Sequence, residues 1–96
     1  MIVRIVKLTF KPEETLNFEN IFKNSQPKIL KQNGCNHVEL LRDINNPNIY
    51  FTYSHWKKTE DLEAYRSSEL FKKVWAKTKI LFNDKPQAWS VQAPPK

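Results

Sequence analysis

The chain has 96 residues and a formal net charge of +6. Hydrophobic residues make up 40% of it and charged residues 27%, which are ordinary values for a globular domain, so the composition excludes a disordered chain. No apolar run approaches the ~20 residues that a membrane-spanning helix needs, and the amino-terminal run lacks the uninterrupted apolar segment of a signal peptide. We therefore expect a soluble, cytoplasmic protein with no membrane partner.

Two residue counts limit the chemistry further. Gly34 is the one glycine, and loops that cradle phosphates need several, so P-loop and Rossmann nucleotide sites are excluded. Cys35 is the one cysteine, which excludes an internal disulfide and a cysteine-based zinc site. We expect Cys35 to be a small, half-buried strand residue, although a pair with His37 is conceivable. The lysines are spread along the chain, which is typical of a solvated basic surface and predicts no nucleic-acid partner.

The pattern of apolar residues and turn formers predicts strands at residues 2–10, 35–43, 49–56 and 87–92. A helix that begins near Pro12 and is closed by Gly34 follows the first strand, and Pro27 is expected to kink or restart it. Two shorter helices follow the third strand. The first is capped by Thr59, and the second begins at a new cap at residues 67–69, where the phase of the apolar stripe changes.

The order strand, helix, strand, strand, helix, strand is that of the ferredoxin-like βαββαβ fold. In this α+β arrangement the helices cover one face of a four-stranded antiparallel sheet. Residues 1–92 are expected to form a single domain, with residues 93–96 as a carboxy-terminal tail.

A hairpin is predicted between the second and third strands, because the loop at residues 44–48 is dense in turn formers. If Asp43 pairs with Ile49, three further cross-strand pairs follow from the alternation of side chains. They are Leu41 with Phe51, Glu39 with Tyr53 and His37 with His55. A slip of one residue would move the whole set to the other face of the sheet.

Both faces of the first predicted strand carry large apolar side chains, whereas the helices can cover only one face. The uncovered face would expose roughly several hundred Å² of partly apolar surface, which is at the limit of what soluble monomers tolerate. A second copy is the simplest cover, since a two-fold axis lets one patch satisfy itself. We therefore expect a homodimer.

The second half of the chain carries the most specific motif of the sequence. A tryptophan, Trp56, ends the third strand, and an acidic-leucine-aromatic helix and a Ser-x-x-Phe helix start follow it. These segments read Asp61-Leu62-Glu63-Ala64-Tyr65-Arg66 and Ser68-Glu69-Leu70-Phe71, and Lys85-Pro86-Gln87-Ala88-Trp89-Ser90-Val91 comes later. They resemble the antibiotic biosynthesis monooxygenase (ABM) family, whose order of elements the chain matches over nearly its whole length.

The resemblance implies a dimeric α/β barrel, in which two sheets pack face to face. It also implies an activity, since some relatives oxygenate quinol- or anthrone-like aromatics without metal or flavin. Deprotonation of such a substrate gives an electron-rich anion that can itself reduce O₂, so the protein supplies a dry pocket, orientation and a proton acceptor. We expect a cofactor-independent monooxygenase that binds a small aromatic or apolar molecule between sheet and helices. The alternative is a non-catalytic homodimer of the same fold that binds a small molecule or acts in a stress response.

Two histidines and a set of aromatic and basic residues are the candidates for this site. His37 and His55 are the candidate catalytic residues, because histidine ordinarily titrates near neutral pH and could take a phenolic proton. Aromatic side chains could wall a pocket for a flat ligand, and a lysine and an arginine could neutralise an enolate or a carboxylate. The candidate substrate-binding residues are Lys7, Tyr53, Trp56, Tyr65, Arg66, Phe71, Trp75 and Trp89.

Another branch of the family degrades haem with an asparagine on the first strand and a tryptophan and a histidine on the second helical region. The resemblance places Lys7, Tyr65 and Trp75 at these positions. Because Trp75 cannot ligate iron, we expect no haem cofactor.

Two further alternatives are weaker. A metal site built from His37, Glu39 and His55 is conceivable on one sheet face, but two histidines and one carboxylate are a thin signal, so no metal is expected. An RNA-recognition module has the same order of elements. Its third-strand motif contains glycine, whereas residues 49–56 contain none.

Overall fold

The computed structural model describes residues 1–95. Within them, four antiparallel strands form one sheet in the order β2-β3-β1-β4. The strands are β1 (Ile2–Thr9), β2 (Cys35–Arg42), β3 (Ile49–Trp56) and β4 (Gln87–Val91), and the helices are α1 (Thr15–Leu30), α2 (Thr59–Arg66) and α3 (Glu69–Lys79). This is the ferredoxin-like α+β fold that the order of elements predicts.

The ends of the elements differ little from the predicted ones. Three of the predicted strands run one residue too far, at Phe10, Asp43 and Gln92. Phe10 makes an isolated bridge to Phe82 instead. The predicted tail includes Lys96, which lies outside the described residues, and residues 92–95 form no helix or strand. No helix within residues 1–95 is long and apolar enough to span a bilayer.

The predicted register of the hairpin is confirmed. His37 lies opposite His55, and Glu39 lies opposite Tyr53. The backbone N–H of Asp43 donates to the Ile49 carbonyl over 2.9 Å. The Asp43 carboxylate in turn accepts from two backbone N–H groups of the loop, over 3.0 and 2.8 Å. This Asx-type arrangement closes the loop and so fixes which residues pair.

A β-bulge at the start of β2 separates two residues that simple alternation would place together. Cys35 lies opposite Trp56, but His37 lies opposite His55, so one residue of β2 is left over between them. A bulge of this kind shifts the side-chain alternation by one position. Cys35 therefore packs against the core under the helices and His37 lies on the other face, which excludes the conceivable Cys–His pair.

α1 is not restarted at Pro27, so the expected restart is wrong. α1 continues through Pro27 to Leu30. The Ser25 hydroxyl donates to the Ile21 carbonyl over 2.7 Å, one turn before the proline. Buried side chains on both sides of Pro27, including Phe22 and Ile29, hold the two halves of the helix on the sheet. Tertiary packing thus outweighs the lost backbone hydrogen bond.

The two short helices meet at Ser68, as the phase change of the apolar stripe predicts. The Ser68 hydroxyl donates to the Tyr65 carbonyl over 2.6 Å and accepts from the Phe71 N–H over 3.1 Å. One side chain thereby joins the end of α2 to the N-cap of α3. Gly34 has φ 78°, the left-handed conformation expected of it, and a Cβ atom there would overlap the Asp61 carboxylate of α2.

The helices cover one face of the sheet, here called the helix face. The other, the open face, is not covered by any part of residues 1–95. The core lies at the helix face, where Leu8, Tyr50 and Trp56 are at most 3% exposed. Residues paired across neighbouring strands share a face, so the register assigns every strand side chain to one of the two. The open face carries Val3, Ile5, Lys7, His37, Glu39, Leu41, Phe51, Tyr53, His55, Trp89 and Val91.

Candidate functional site

A cavity of about 340 Å³ lies between the helix face of the sheet and the helices. Apolar side chains of every helix and of β1, β2, β3 and β4 contribute to its lining. From the sheet these include Val6, Leu8, Val38, Trp56 and Ala88, and from the helices Phe18, Phe22, Ile29, Leu62, Phe71, Val74 and Trp75. All five residues of β4 are exposed, so the cavity is accessible on that side. Its size is in the ordinary range for small-molecule sites.

Four aromatic rings in succession form one wall of the cavity. Trp56 stacks on Tyr65 at 5.1 Å between ring centroids with an interplanar angle of 22°. Tyr65 meets Phe71 edge-on at 5.3 Å, and Phe71 lies nearly parallel to Trp75 at 5.8 Å. The Trp56 indole N–H donates to the Ser54 hydroxyl over 2.9 Å, which fixes the first ring. Flat rings held in this way favour a flat, apolar ligand.

Tyr65 is the phenol in this wall, and its surroundings keep it protonated. Burial raises the pKa of Tyr65 to about 12, with a smaller contribution from the negative charge of a Cys35 thiolate. Burial also raises the pKa of the Cys35 thiol. At neutral pH both groups are therefore neutral, and the Tyr65 hydroxyl is a hydrogen-bond donor rather than a base.

Two guanidinium groups lie at the cavity. Arg66, at the end of α2, was predicted to belong to the site, and its Nη1 donates to the Glu63 carboxylate over 3.2 Å. Arg4 on β1 also lines the cavity, and its Nη1 donates to the Ser90 hydroxyl of β4 over 2.9 Å. Burial lowers the pKa of Arg4, as does the nearby charge of Arg66, whereas Glu63 raises it. Arg4 is not among the predicted site residues, although a charged residue between apolar ones on the helix-facing positions of a strand is a signal for it.

The ten candidate residues separate into two groups. Trp56, Tyr65, Arg66, Phe71 and Trp75 line the cavity together. The other five lie on the open face, with the sheet between them and the cavity. They are Lys7, His37, Tyr53, His55 and Trp89. A ligand in the cavity of one subunit is therefore not within reach of the histidines of that subunit, and their catalytic role stays a prediction.

The histidines form a compact polar cluster with their neighbours on the open face. His37 Nε2 lies 3.3 Å from Glu39 Oε1, and the rings of His37 and His55 are 5.3 Å apart. The Tyr53 ring lies 4.9 Å from that of His55. His55 Nε2 is buried and has no hydrogen-bond partner within residues 1–95. The described residues contain no group of three His, Cys, Asp or Glu side chains that could hold a metal ion, so the geometry does not support the metal-site alternative.

A comparison of the chain with protein families agrees with the fold described above. The family model described as "Antibiotic biosynthesis monooxygenase" matches residues 1–77, which is most of the chain. The chain belongs to the antibiotic biosynthesis monooxygenase family. This match confirms the resemblance to the ABM family that the sequence motif indicated. The ABM match covers β1 to most of α3 and so includes the whole aromatic wall of the cavity.

Solved structures with the same fold are numerous. A conserved protein from Methanosarcina mazei Go1 superposes with a TM-score of 0.91 at 23% identity, over 98% of this chain and 94% of that one. A structure described as an antibiotic biosynthesis monooxygenase superposes with a TM-score of 0.91 at 17% identity, over 99% of this chain and 100% of the other. A protein from Bordetella bronchiseptica superposes with a TM-score of 0.87 at 23% identity, over 98% of this chain and 97% of that one. At these identities the structures support the ABM fold alone. Comparison with curated proteins finds no match.

Proposed function

We propose that this chain is a monooxygenase that acts, as a homodimer and without metal or flavin, on a small quinol- or anthrone-like aromatic compound held between the sheet and the helices. The observation that carries the proposal is the aromatic-walled cavity of about 340 Å³. Membership of the ABM family supports the type of reaction, and the cavity supports the type of substrate.

The cavity suits the chemistry because the substrate supplies the electrons. For an anthrone-like compound, loss of a proton from the reactive CH₂ group gives a carbanion in resonance with the enolate. This anion reduces O₂ and combines with it to a hydroperoxide, which loses water to leave a carbonyl group. The balance is R₂CH₂ + O₂ → R₂C=O + H₂O, with one oxygen atom in each product. Walls such as Trp56 and Trp75 exclude water and orient the ring, which are the contributions that this reaction requires.

Tyr65 has a defined part in this proposal. Its pKa of about 12 keeps the phenol protonated, so it can donate a hydrogen bond to the substrate oxygen on which negative charge develops. The donor is held in place by the stack of its ring on Trp56. The base that removes the substrate proton stays a prediction. His37 and His55 were predicted for this role, but the sheet separates them from the cavity, so either can act only through a proton path around or across the sheet.

The open face supports the homodimer part of the proposal. Leu41 and Trp89 are each 44% exposed on this face, and Ile5 and Phe51 are only partly buried there. Two such faces packed together around a two-fold axis would remove these side chains from water. A second sheet would also enclose the cluster of His37 and His55.

Oxygen uptake with a panel of anthrones, hydroquinones and naphthols tests the proposal directly. The expected result is turnover by the unchanged protein and its loss in Val74→Phe, because Val74 lines the cavity and the added ring would fill it. Ala76→Phe is the matched control, since Ala76 lies exposed on the same helix. Circular dichroism of both variants verifies folding. Equal uptake by the two variants, or none by the unchanged protein with any member of the panel, contradicts the proposal.

The same assay separates the roles of the two histidines. If one of them is the base, His37→Ala or His55→Ala lowers turnover by about 10²-fold or more while the dimer persists. Unchanged turnover in both variants would show that the proton leaves by another route and would leave the cavity as the site.

A further inference from the structure

We propose that Arg4, assisted by Arg66, makes the cavity selective for ligands that carry an anionic oxygen group, a carboxylate or an enolate, on a flat apolar body. This inference rests on the proposed function in one respect, since it takes the same cavity as the ligand site. It adds the chemical class of the ligand and a residue that determines it.

The charged side chains that line the cavity within the described residues are all positive. Within residues 1–95, the charged side chains that line it are Arg4 and Arg66, and the remaining lining residues are apolar or neutral. The two arginines come from different elements, β1 and the end of α2, so the fold brings them together. Glu63 is the nearby carboxylate, and it is bonded to Arg66 at the exposed surface of α2. Two guanidinium groups and one carboxylate leave a net positive charge at this end of the cavity.

The surroundings of Arg4 are more apolar than those of an ordinary surface arginine. Its neighbours on the helix face of β1 are Ile2 and Val6, and Leu8 follows, all apolar. An arginine that lies half-buried among such side chains costs free energy unless its charge is paired. The partner of Arg4 within the described residues is the hydroxyl of Ser90, which is neutral. A ligand anion would supply the missing charge.

The guanidinium of Arg4 is already oriented for such a ligand. The register places Arg4 between Ser54 on β3 and Ser90 on β4. The bond from Nη1 to Ser90 Oγ, 2.9 Å long, fixes one side of the group, while the Ser54 hydroxyl accepts the Trp56 indole N–H. Guanidinium has five N–H donors, so others remain for a ligand, and their fork geometry matches two oxygens of a carboxylate.

Repulsion between the two arginines gives a second reason to expect an anion. The charge of Arg66 lowers the pKa of Arg4, which means that the Arg66 guanidinium disfavours the protonated form of Arg4. Arg4 stays protonated at neutral pH, as arginines do in proteins. An anionic oxygen between them would offset this repulsion. For an enolisable substrate the same charges favour the deprotonated form, which is the form that reacts with O₂.

A pair of probes with the same shape and different charge tests the inference: 2-naphthoate and its neutral amide, 2-naphthamide. Calorimetric titration of the unchanged chain is expected to give about tenfold or tighter binding of the carboxylate than of the amide, as one charge-assisted hydrogen bond supplies. In Arg4→Gln most of the naphthoate's advantage should be lost, with the smaller contribution of Arg66 remaining, and binding of the naphthamide should be unaffected. Arg4→Lys, which keeps the charge but not the fork, should keep part of the preference.

Lys23→Gln is the matched control, since it removes one positive charge from the exposed side of α1 and should leave the preference unchanged. A titration of the unchanged chain at rising salt concentration gives a test without any substitution. Added salt should weaken binding of the naphthoate and not of the naphthamide.

Equal affinity of the unchanged chain for both probes, or a preference of undiminished size in Arg4→Gln, overturns the inference. Failure of both probes to bind overturns it as well. The proposed function fails separately: a strong preference for the carboxylate probe without oxygen uptake on any substrate leaves the anion site standing and removes the monooxygenase.

Discussion

The two faces of the sheet come from the same strands, yet they differ in almost every physical property. On the helix face, Tyr50 and Trp56 are each 1% exposed, and a cavity with two arginines interrupts the packing. On the open face, Leu41 and Trp89 are each 44% exposed, and histidine, tyrosine and glutamate side chains form the polar cluster. Position in the strand alternation, rather than residue type, decides which of the two roles a side chain has. The helix face contains the core and the cavity, and we expect the open face to govern assembly.

Two tryptophans give the largest test of this contrast. Trp56→Ala should lower the free energy of unfolding by about 3–5 kcal/mol, because it leaves a large cavity in the core and removes the partner of the Ser54 hydroxyl. The loss should be the same at every protein concentration in urea denaturation.

Trp89→Ala provides the counterpart on the open face. Its effect should depend on protein concentration, since it weakens contact between copies and not the packing of one subunit. A loss of equal size and equal concentration dependence in both variants would show that the two faces do not have separate roles.

A charged side chain on the open face should dissociate the proposed dimer while each subunit stays folded. Ile5 lies on the central strand β1, between Tyr53 and Trp89. We expect Ile5→Glu to raise the dissociation constant of the dimer by about 100-fold or more, because an unpaired carboxylate in an apolar contact is costly. Light scattering on a dilution series measures this change.

The control for Ile5→Glu is Ile5→Val, which should remain a dimer. A monodisperse subunit of 11.4 kDa for the unchanged chain at micromolar concentration would contradict the assignment of the open face.

A smaller effect concerns the ionisation of Tyr65 under the helices. Its pKa rises from 10.0 to about 12 on folding, so above pH 10 the unfolded chain loses this proton while the folded chain keeps it. Stability is therefore fully present below pH 10 and falls by about 2–3 kcal/mol as the pH rises to 12.

Tyr65→Phe should remove that part of the decline in urea denaturation between pH 9 and pH 12. Tyr50→Phe should remove another part, since burial and Glu19 raise the pKa of Tyr50 as well. An unchanged pH dependence in Tyr65→Phe would mean that the phenol is not protected by the helices and Trp56.

Local sequence signals predicted most of the elements and part of the site. The turn formers at residues 44–48 predicted the hairpin and its register, and the serine at the phase change predicted the joint between α2 and α3. Trp56, Tyr65 and Trp75 were assigned to the pocket from aromatic content and the family motif, and the structure places them there. These signals suffice because they act between residues close in sequence.

Other parts of the site depend on contacts between distant segments. The bulge at Cys35 shifts the alternation of side chains in β2 by one residue, and no local sequence pattern predicted it. His37 and His55 were assigned to the same site as Trp56, although the sheet separates them from it. Arg4 was not assigned at all, because its role depends on Ser90 and Arg66, far away in the sequence.

The sequence by itself determined the order of the elements, the register of the hairpin and the presence of more apolar surface than one layer of helices can cover. Only the tertiary structure decided which side chains face the cavity and that two arginines meet there. The physical reason is that the hydrophobic pattern acts along the chain. The facing of each strand and the meeting of charges depend instead on how strand residues 40 to 88 positions apart in the sequence pair and pack.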